Sequence, residues 1–549
     1  MASVAEPKRE RPWSMSRVVI ASSAGTAFEW YDFFIFGSLT PIISKVFFAG
    51  LDPTAGLIAA LALFAVGFAF RPLGAVIFGA MGDRIGRKAT FLATVSLMGG
   101  ATFGIGLLPT YGQAGAIAPI LLIILRICQG TALGGEYGGA AIYVAEHADD
   151  DKRGAATGWI QSSASFGLLA ALMVIFVTRR ALGEEAFDAW GWRIPFLVSV
   201  VLLAISVWMR VKLSESPAFA KLREEGQVSK APLREAFANR SNLRQVAIAF
   251  FAIMCAQGAV WYFTFFYMQV FLEKSLGLPG ATKDLLLIIM TLASAPLYVF
   301  FGWLSDRWGR KPVMLFGMLL ALLLYFPGSH WIAVAANPGL MEAQRSSPVV
   351  VYADPATCTA QFDPTGTQKF LSGCDTAKAL LVAKGVNFTS VAIGSDEAQI
   401  MIGKERLAFR SLAELPPAAA AAEKAEAMKR LTAALQANGY PASADPARMN
   451  WPVLVGVLLL FVVAATALYG PQAAALVEMF PTRIRYSAMS LPYHFGTGWV
   501  GGFLPFTSFA IVALTGDIYA GLWYSVIFTA ISVVTTLFFL NETAGKPID

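Results

Sequence analysis

Gly82-Asp83-Arg84-Ile85-Gly86-Arg87-Lys88 lies between two long apolar runs, and a close copy, Ser305-Asp306-Arg307-Trp308-Gly309-Arg310-Lys311, lies between two more. A second echo accompanies it: Glu146 precedes Arg153 by seven residues, and Glu478 precedes Arg485 by seven. The first echo is displaced by 223 positions (Asp83 to Asp306) and the second by 332 (Glu146 to Glu478). The difference, 109 residues, places an insertion between Lys311 and Glu478 of a chain otherwise built twice.

Hydrophobic residues make up 56% of the 549 and charged ones only 14%, with a mean hydropathy of +0.59. That balance excludes an ordinary soluble domain and indicates a polytopic membrane protein. A crossing takes about 20 apolar residues as helix. Such runs fall at about 17–48, 56–81, 89–109, 116–146, 155–178 and 192–212, then at about 243–272, 284–304, 312–335, 451–478, 486–514 and 519–540. The reading is six plus six. Residues 1–211 form a first bundle, 212–242 a charged linker, 243–335 with 451–549 a second bundle, and 336–450 the insertion. No cleavable signal pattern precedes Arg17.

Lys and Arg in short connections set orientation. They crowd the linker and the turns around Arg84, Arg87, Lys152, Arg153, Arg307, Arg310, Arg483 and Arg485, and are sparser in the alternate turns. The expectation is an inner-membrane protein with both termini cytoplasmic and 336–450 external. The net charge of +6 belongs to this asymmetry and carries no nucleic-acid reading.

The turn motif GDRxGRK resembles that of the major facilitator superfamily. Within it the chain is similar to metabolite:proton symporters through Glu29-Trp30-Tyr31-Asp32-Phe33, Phe70-Arg71-Pro72-Leu73-Gly74, Arg126-Ile127-Cys128-Gln129-Gly130, Gly134-Gly135-Glu136-Tyr137, Gly191-Trp192-Arg193-Ile194-Pro195-Phe196 and Glu215-Ser216-Pro217-Ala218-Phe219. The resemblance covers both halves but not the insertion. It implies an all-α major facilitator fold, two pseudo-symmetric six-helix bundles around a central cavity, working by alternating access with protons as the driving force and no cofactor.

Charge inside a membrane helix is costly and marks a cavity or a partner. At 1.5 Å of rise per residue, Arg71 and Glu136 stand about 15 Å from the helix ends, Glu29 about 18 Å, Asp32 about 22 Å and Arg126 about 30 Å. Glu29 and Asp32, three apart, share a helix face. Carboxylates in low dielectric take up and release protons, whereas arginine keeps its charge. Asp32 is therefore the expected proton carrier with Glu29 and Glu136 beside it, and Arg71 and Arg126 the expected holders of an anionic substrate group. Mutual neutralisation is the plainer alternative.

The second half offers hydrogen bonds and shape instead: Gln257, Trp261, Tyr262, Tyr493 and His494 are candidates for the opposite cavity wall, or for plain packing. Asp83, Arg84, Arg87, Asp306, Arg307 and Arg310, with Glu146, Arg153, Glu478 and Arg485, read as a cytoplasmic gate, or as turns that only set topology. Within the insertion, a small α+β unit, Cys358 and Cys374 are expected to pair. No metal-ligand spacing, nucleotide site or nucleophile with a base appears, so the chain does not read as an enzyme. The expected partners are a small, carboxylate-bearing metabolite, protons and the bilayer, with the chain acting as a monomer. A non-transporting receptor binding its ligand through the insertion is the alternative.

Overall fold

The computed structural model describes residues 15–49, 60, 63, 66–211, 215–358, 371–395 and 397–548. Helix 1 is Met15–Ser38, and helix 2 is described from Arg71–Arg84. Helices 3 to 6 are Arg87–Leu107, Ile117–His147, Arg153–Leu182 and Arg193–Val211. The second bundle follows with helix 7 (Arg240–Ser275), helix 8 (Gly280–Trp308) and helix 9 (Arg310–Ala336). Helix 10 is Trp451–Met479, helix 11 runs through Arg485–Phe495 and Leu504–Thr515, and helix 12 is Leu522–Phe539.

Nine of these are long and apolar enough to cross a membrane among the described residues. The other three fall short for visible reasons. Helix 1 carries Glu29 and Asp32, helix 2 begins outside the described residues, and helix 11 is interrupted by a wider π-wound stretch, Gly496–Gly501. Helix 7 holds three such stretches: Ala249–Met254, Phe263–Tyr267 and Phe271–Ser275.

Small residues let the bundles meet backbone to backbone. A Cβ on Gly154 of helix 5 would stand 2.4 Å from the Gly302 carbonyl of helix 8, and one on Gly79 of helix 2 would stand 3.1 Å from Ser487 Cα of helix 11. Adding six to 2 and 5 gives 8 and 11, so these two contacts are pseudo-twofold equivalents. Both motif turns need a glycine in the left-handed region, Gly86 at φ 124° and Gly309 at φ 99°, where a side chain would be strained.

Residues between helices 9 and 10 form a cap. Its sheet has the order β2-β1-β3-β4, from β1 (Val349–Ala353), β2 (Phe388–Ala392), β3 (Ala398–Ile402) and β4 (Glu405–Phe409). β1 pairs parallel with β2 and antiparallel with β3. Helices Gly373–Ala383 and Pro417–Ala437 share one apolar core with it, including Val351, Ile400, Leu381 and Leu431. The cap docks on the second bundle: Phe388 N donates to Gly516 O, Ile518 N to Asn387 Oδ1, Ala444 N to Gly277 O and Asn337 Nδ2 to Leu276 O, each at 2.9 Å.

The expected Cys358–Cys374 disulfide is present. Closing a loop of this length restricts the unfolded chain by about 3 kcal/mol. Replacing both cysteines with serine is expected to destabilise the cap by about that amount. Hydrogen exchange should then accelerate in Val349–Ala353 while the membrane helices keep their protection.

Candidate functional site

The face carrying the motif turns is closed by two equivalent clusters. In one, Asp83 at the end of helix 2 accepts from the backbone N–H groups of Tyr486 (3.2 Å) and Ser487 (2.8 Å), in the first turn of helix 11. In the other, Asp306 at the end of helix 8 accepts from Gly154 and Ala155, both at 2.8 Å, in the first turn of helix 5. A carboxylate there meets the unpaired N–H groups and the positive end of the helix dipole. Each aspartate is also held by the arginine four residues on, Asp83 by Arg87 (3.0 Å) and Asp306 by Arg310 (2.6 Å).

The second echo completes both clusters across the bundle boundary. Glu146 pairs with Arg485 (2.7 Å) and Arg87 (3.8 Å); Glu478 pairs with Arg153 (2.8 Å) and Arg310 (3.0 Å). These side chains are almost wholly buried, so each charge depends on its partners. Arg84 and Arg307 stand apart: Arg84 donates to Lys230 O of the linker, and Arg307 lies over the Trp303 ring.

Two acids that sequence reasoning left without a role cap the helices after the turns. Glu215 accepts from the backbone of Arg87 (3.0 Å), and Glu542 from that of Arg310 (2.8 Å) and Lys311 (3.1 Å). The linker adds an exposed two-pronged pair, Glu235 with Arg483 at 2.8 Å.

In the middle of the molecule, helix 1 presents two different faces. Glu29 and Asp32 turn into the first bundle, where a crevice is lined by Phe28, Val95, Leu203 and Ser206 of helices 1, 3 and 6. Glu29 pairs with Arg210 at 2.6 Å, an arginine that sequence reasoning missed because it ends the apolar run of helix 6 and reads as a boundary charge. Asp32 Oδ1 has no hydrogen-bond partner among the described residues, while the Thr102 and Ser199 hydroxyls donate to the Met98 (2.9 Å) and Phe196 (2.7 Å) carbonyls of their own helices.

Trp30 turns toward the second bundle, and Phe33 packs within the first against Phe68 at 5.2 Å. The Arg71 guanidinium sits over the rings of Phe68 (4.3 Å) and Phe33 (5.0 Å), and the Phe68 ring meets that of Tyr262 at 6.0 Å. Its Nε and one Nη have no hydrogen-bond partner among the described residues, although the side chain is 2% exposed. Trp261 stands 6.5 Å from Trp30 and donates to the Tyr298 hydroxyl at 2.7 Å. The Tyr469 and Tyr493 hydroxyls meet at 3.1 Å. Gln257 Oε1 and both ring nitrogens of His494, all buried, also have no hydrogen-bond partner among the described residues.

Arg71 is thus linked through the Phe68 ring to Tyr262 (6.0 Å) and through Tyr262 to Trp261 (5.1 Å), the Tyr493 and His494 rings meet each other at 4.9 Å, and Glu29 turns to Arg210 within the first bundle. Arg126 lies over the Phe36 ring at 4.0 Å. The Glu136 side chain is outside the described residues.

Asp83→Asn or Asp306→Asn replaces one oxygen that accepts a backbone N–H and leaves the neighbouring arginine under-neutralised, a loss of about 3–5 kcal/mol for a buried pair. Spin labels at Lys152 and Arg307 are expected to show one short separation in the parent protein and a growing longer population in either variant. The Glu235 carboxyl is a second test. Its hydrogen bonds to Arg483 hold it below its ordinary value of 4.5, so the pair's contribution, at most about 1 kcal/mol at this exposure, is full above that value and lost as pH falls through the lowered one. Hydrogen exchange in Pro232–Ala238 is expected to stay constant from pH 8 to 5 and to accelerate only at pH below the ordinary value of 4.5.

Residues 23–342 match the Major Facilitator Superfamily, a span that ends where the cap begins. The chain is 35% identical over 320 residues to the glycine betaine/proline/ectoine/pipecolic acid transporter OusA of Dickeya dadantii, covering 57% of this chain and 64% of that protein. It is 34% identical over 321 residues to the proline/betaine transporter of Escherichia coli K12, with the same coverage. Against the shikimate transporter of that organism the figures are 37% over 319 residues, 57% and 71%. The alignments therefore span about two thirds of these relatives. The proton:xylose symporter XylE superposes with a TM-score of 0.61 over 97% of both chains at 16% identity, a likeness of fold. With more than half its length matched and the two bundles in place, the chain belongs to the Major Facilitator Superfamily.

Proposed function

We propose that this protein is a secondary active transporter that carries a small carboxylate-bearing metabolite together with protons by alternating access. The observation that carries the reading is Arg71: a buried guanidinium at the bundle boundary, with two nitrogens lacking hydrogen-bond partners and an aromatic wall around it. Arginine holds its charge at any working pH and presents a planar fork that matches a carboxylate. A buried cation in this condition is stabilised by an anion that arrives and leaves.

The proton has its own place. Asp32, with one oxygen lacking a hydrogen-bond partner in the first bundle, takes and returns the proton, and Glu29, already paired with Arg210, sets the local charge. The relatives support the solute class, since glycine betaine, proline, ectoine and shikimate each bear a carboxylate. In this account Trp261, Tyr262, Tyr493, His494 and Gln257 form the wall facing Arg71, and the motif clusters are a gate that shuts one side.

Orientation follows from the basic turns. The motif face and both termini lie in the cytoplasm and the cap outside the inner membrane, where its disulfide persists. The cytoplasmic gate is then closed in this structure. One chain supplies both halves of the cavity, so a monomer suffices.

The test is uptake in proteoliposomes across a panel of monocarboxylates, dicarboxylates, aromatic acids and betaines, with an imposed proton gradient. One class is expected to accumulate. Asp32→Asn is expected to abolish accumulation while retaining exchange of internal for external solute. Silence of the parent protein across the panel, with ligand binding that depends on the cap, would replace the transporter by a receptor.

A further inference from the structure

The two clusters on the motif face carry the same charges in different packing. Tyr486 follows Arg485 where Gly154 follows Arg153, and Gly82 precedes Asp83 where Ser305 precedes Asp306. Between helices 5 and 8 the backbones leave no room for a side chain. A Cβ on Gly154 would stand 2.4 Å from the Gly302 carbonyl oxygen and 2.8 Å from Ser305 Oγ. Between helices 2 and 11 a ring fills the equivalent place. Tyr486 belongs to the second bundle, yet its side chain is wholly buried against helices 2 and 4 of the first. A Cβ on Gly82 would stand 2.4 Å from Cδ2 on one edge of the ring, one on Gly138 would stand 3.2 Å from Cε1 on the other edge, and one on Gly139 would stand 2.6 Å from the phenol oxygen. The phenol donates to the Gly135 carbonyl of helix 4, while the Tyr486 backbone N–H donates to Asp83 at 3.2 Å.

We propose that Tyr486 is a latch, a positioning residue whose ring seats in a glycine cradle of the opposite bundle and sets how firmly the motif face is shut. The inference rests on the alternating-access reading above, and adds to the gate an element that the paired charges do not supply.

A contact shifts a two-state equilibrium only by as much as it differs between the states. Ring and cradle belong to different bundles, so when the bundles part as rigid bodies at this face the ring leaves the cradle. The closed state alone then holds the buried aromatic surface and the phenol hydrogen bond. The absence of side chains at Gly82, Gly138 and Gly139 is what admits the ring. The cluster of helices 5 and 8 has no such element, because Gly154 stands where Tyr486 would be. The two clusters therefore match in charge and differ in grip.

The experiment uses the full chain, purified and spin-labelled at Lys152 and Arg307, with no solute added. Tyr486→Ala removes ring and hydroxyl and is expected to lower the ratio of short to long separations at least tenfold. Tyr486→Phe keeps the ring and is expected to lower it about threefold. Gly82→Ala, whose methyl meets the ring, is expected to lower it as well. In a Tyr486→Ala background Gly82→Ala is expected to change nothing further, since the atoms it meets are gone. Should Tyr486→Ala not fold, Tyr486→Phe and Gly82→Ala are read in the same way. Parent distributions in all the folded variants overturn the proposal, as does a fall in thermal stability with the distribution unchanged, which marks a packing role. An effect of Gly82→Ala that is equal with and without the ring also overturns it. Failure of the transport reading is seen separately: a parent protein that takes up no solute while these shifts persist loses its transport function and keeps the latch.

Discussion

The structure depends on one constraint: a charge taken out of water inside a membrane protein must be matched by other protein groups or by something that binds there. At the motif face the match is complete enough to define a closed state. Asp83 and Asp306 each satisfy two backbone N–H groups at the start of a helix from the opposite bundle, and Glu146 and Glu478 each neutralise arginines from both bundles. Because the clusters are related by the internal repeat, separating the bundles at this face breaks both at once. The acidic caps Glu215 and Glu542 hold the two turns to the helices that follow them.

In the middle of the molecule the same constraint is left partly unmet. Helix 1 divides the unmet charge between its two faces. Toward the first bundle it turns carboxylates, of which Glu29 is paired and Asp32 less completely so. Toward the second it turns Trp30, which packs against Phe33, the ring over which Arg71 sits. A carboxylate that touched Arg71 directly would neutralise it and compete with an anionic solute. In the transport reading proposed above, a proton acceptor that makes no ion pair with Arg71 leaves both sites usable.

Much of this was legible in the sequence, and the reasons differ from residue to residue. The duplicated turn announced itself because a glycine in the left-handed region and an aspartate four residues before an arginine leave few other solutions. The offset between the two echoes located the cap, since an insertion shifts everything after it. Glu29 and Asp32 stood out because charge is rare in apolar runs, and their spacing gave their common face. What spacing does not give is the neighbour of that face. Glu29 was expected to stand beside Asp32 in carrying the proton, and instead pairs with Arg210, whose place at a helix end disguised it. The π-wound stretches of helices 7 and 11 leave no trace in hydrophobic periodicity.

The central claim is that Arg71 supplies the charge on which an anionic solute is held between the bundles. It is tested most directly by calorimetric titration of purified protein with the carboxylate that the transport panel selects, comparing the parent with Arg71→Gln. Loss of charge-assisted hydrogen bonds worth about 1.5–3 kcal/mol each predicts a rise in Kd of about a hundredfold or more. An unchanged Kd in Arg71→Gln, with the protein folded, would place the anionic group elsewhere and contradict the account.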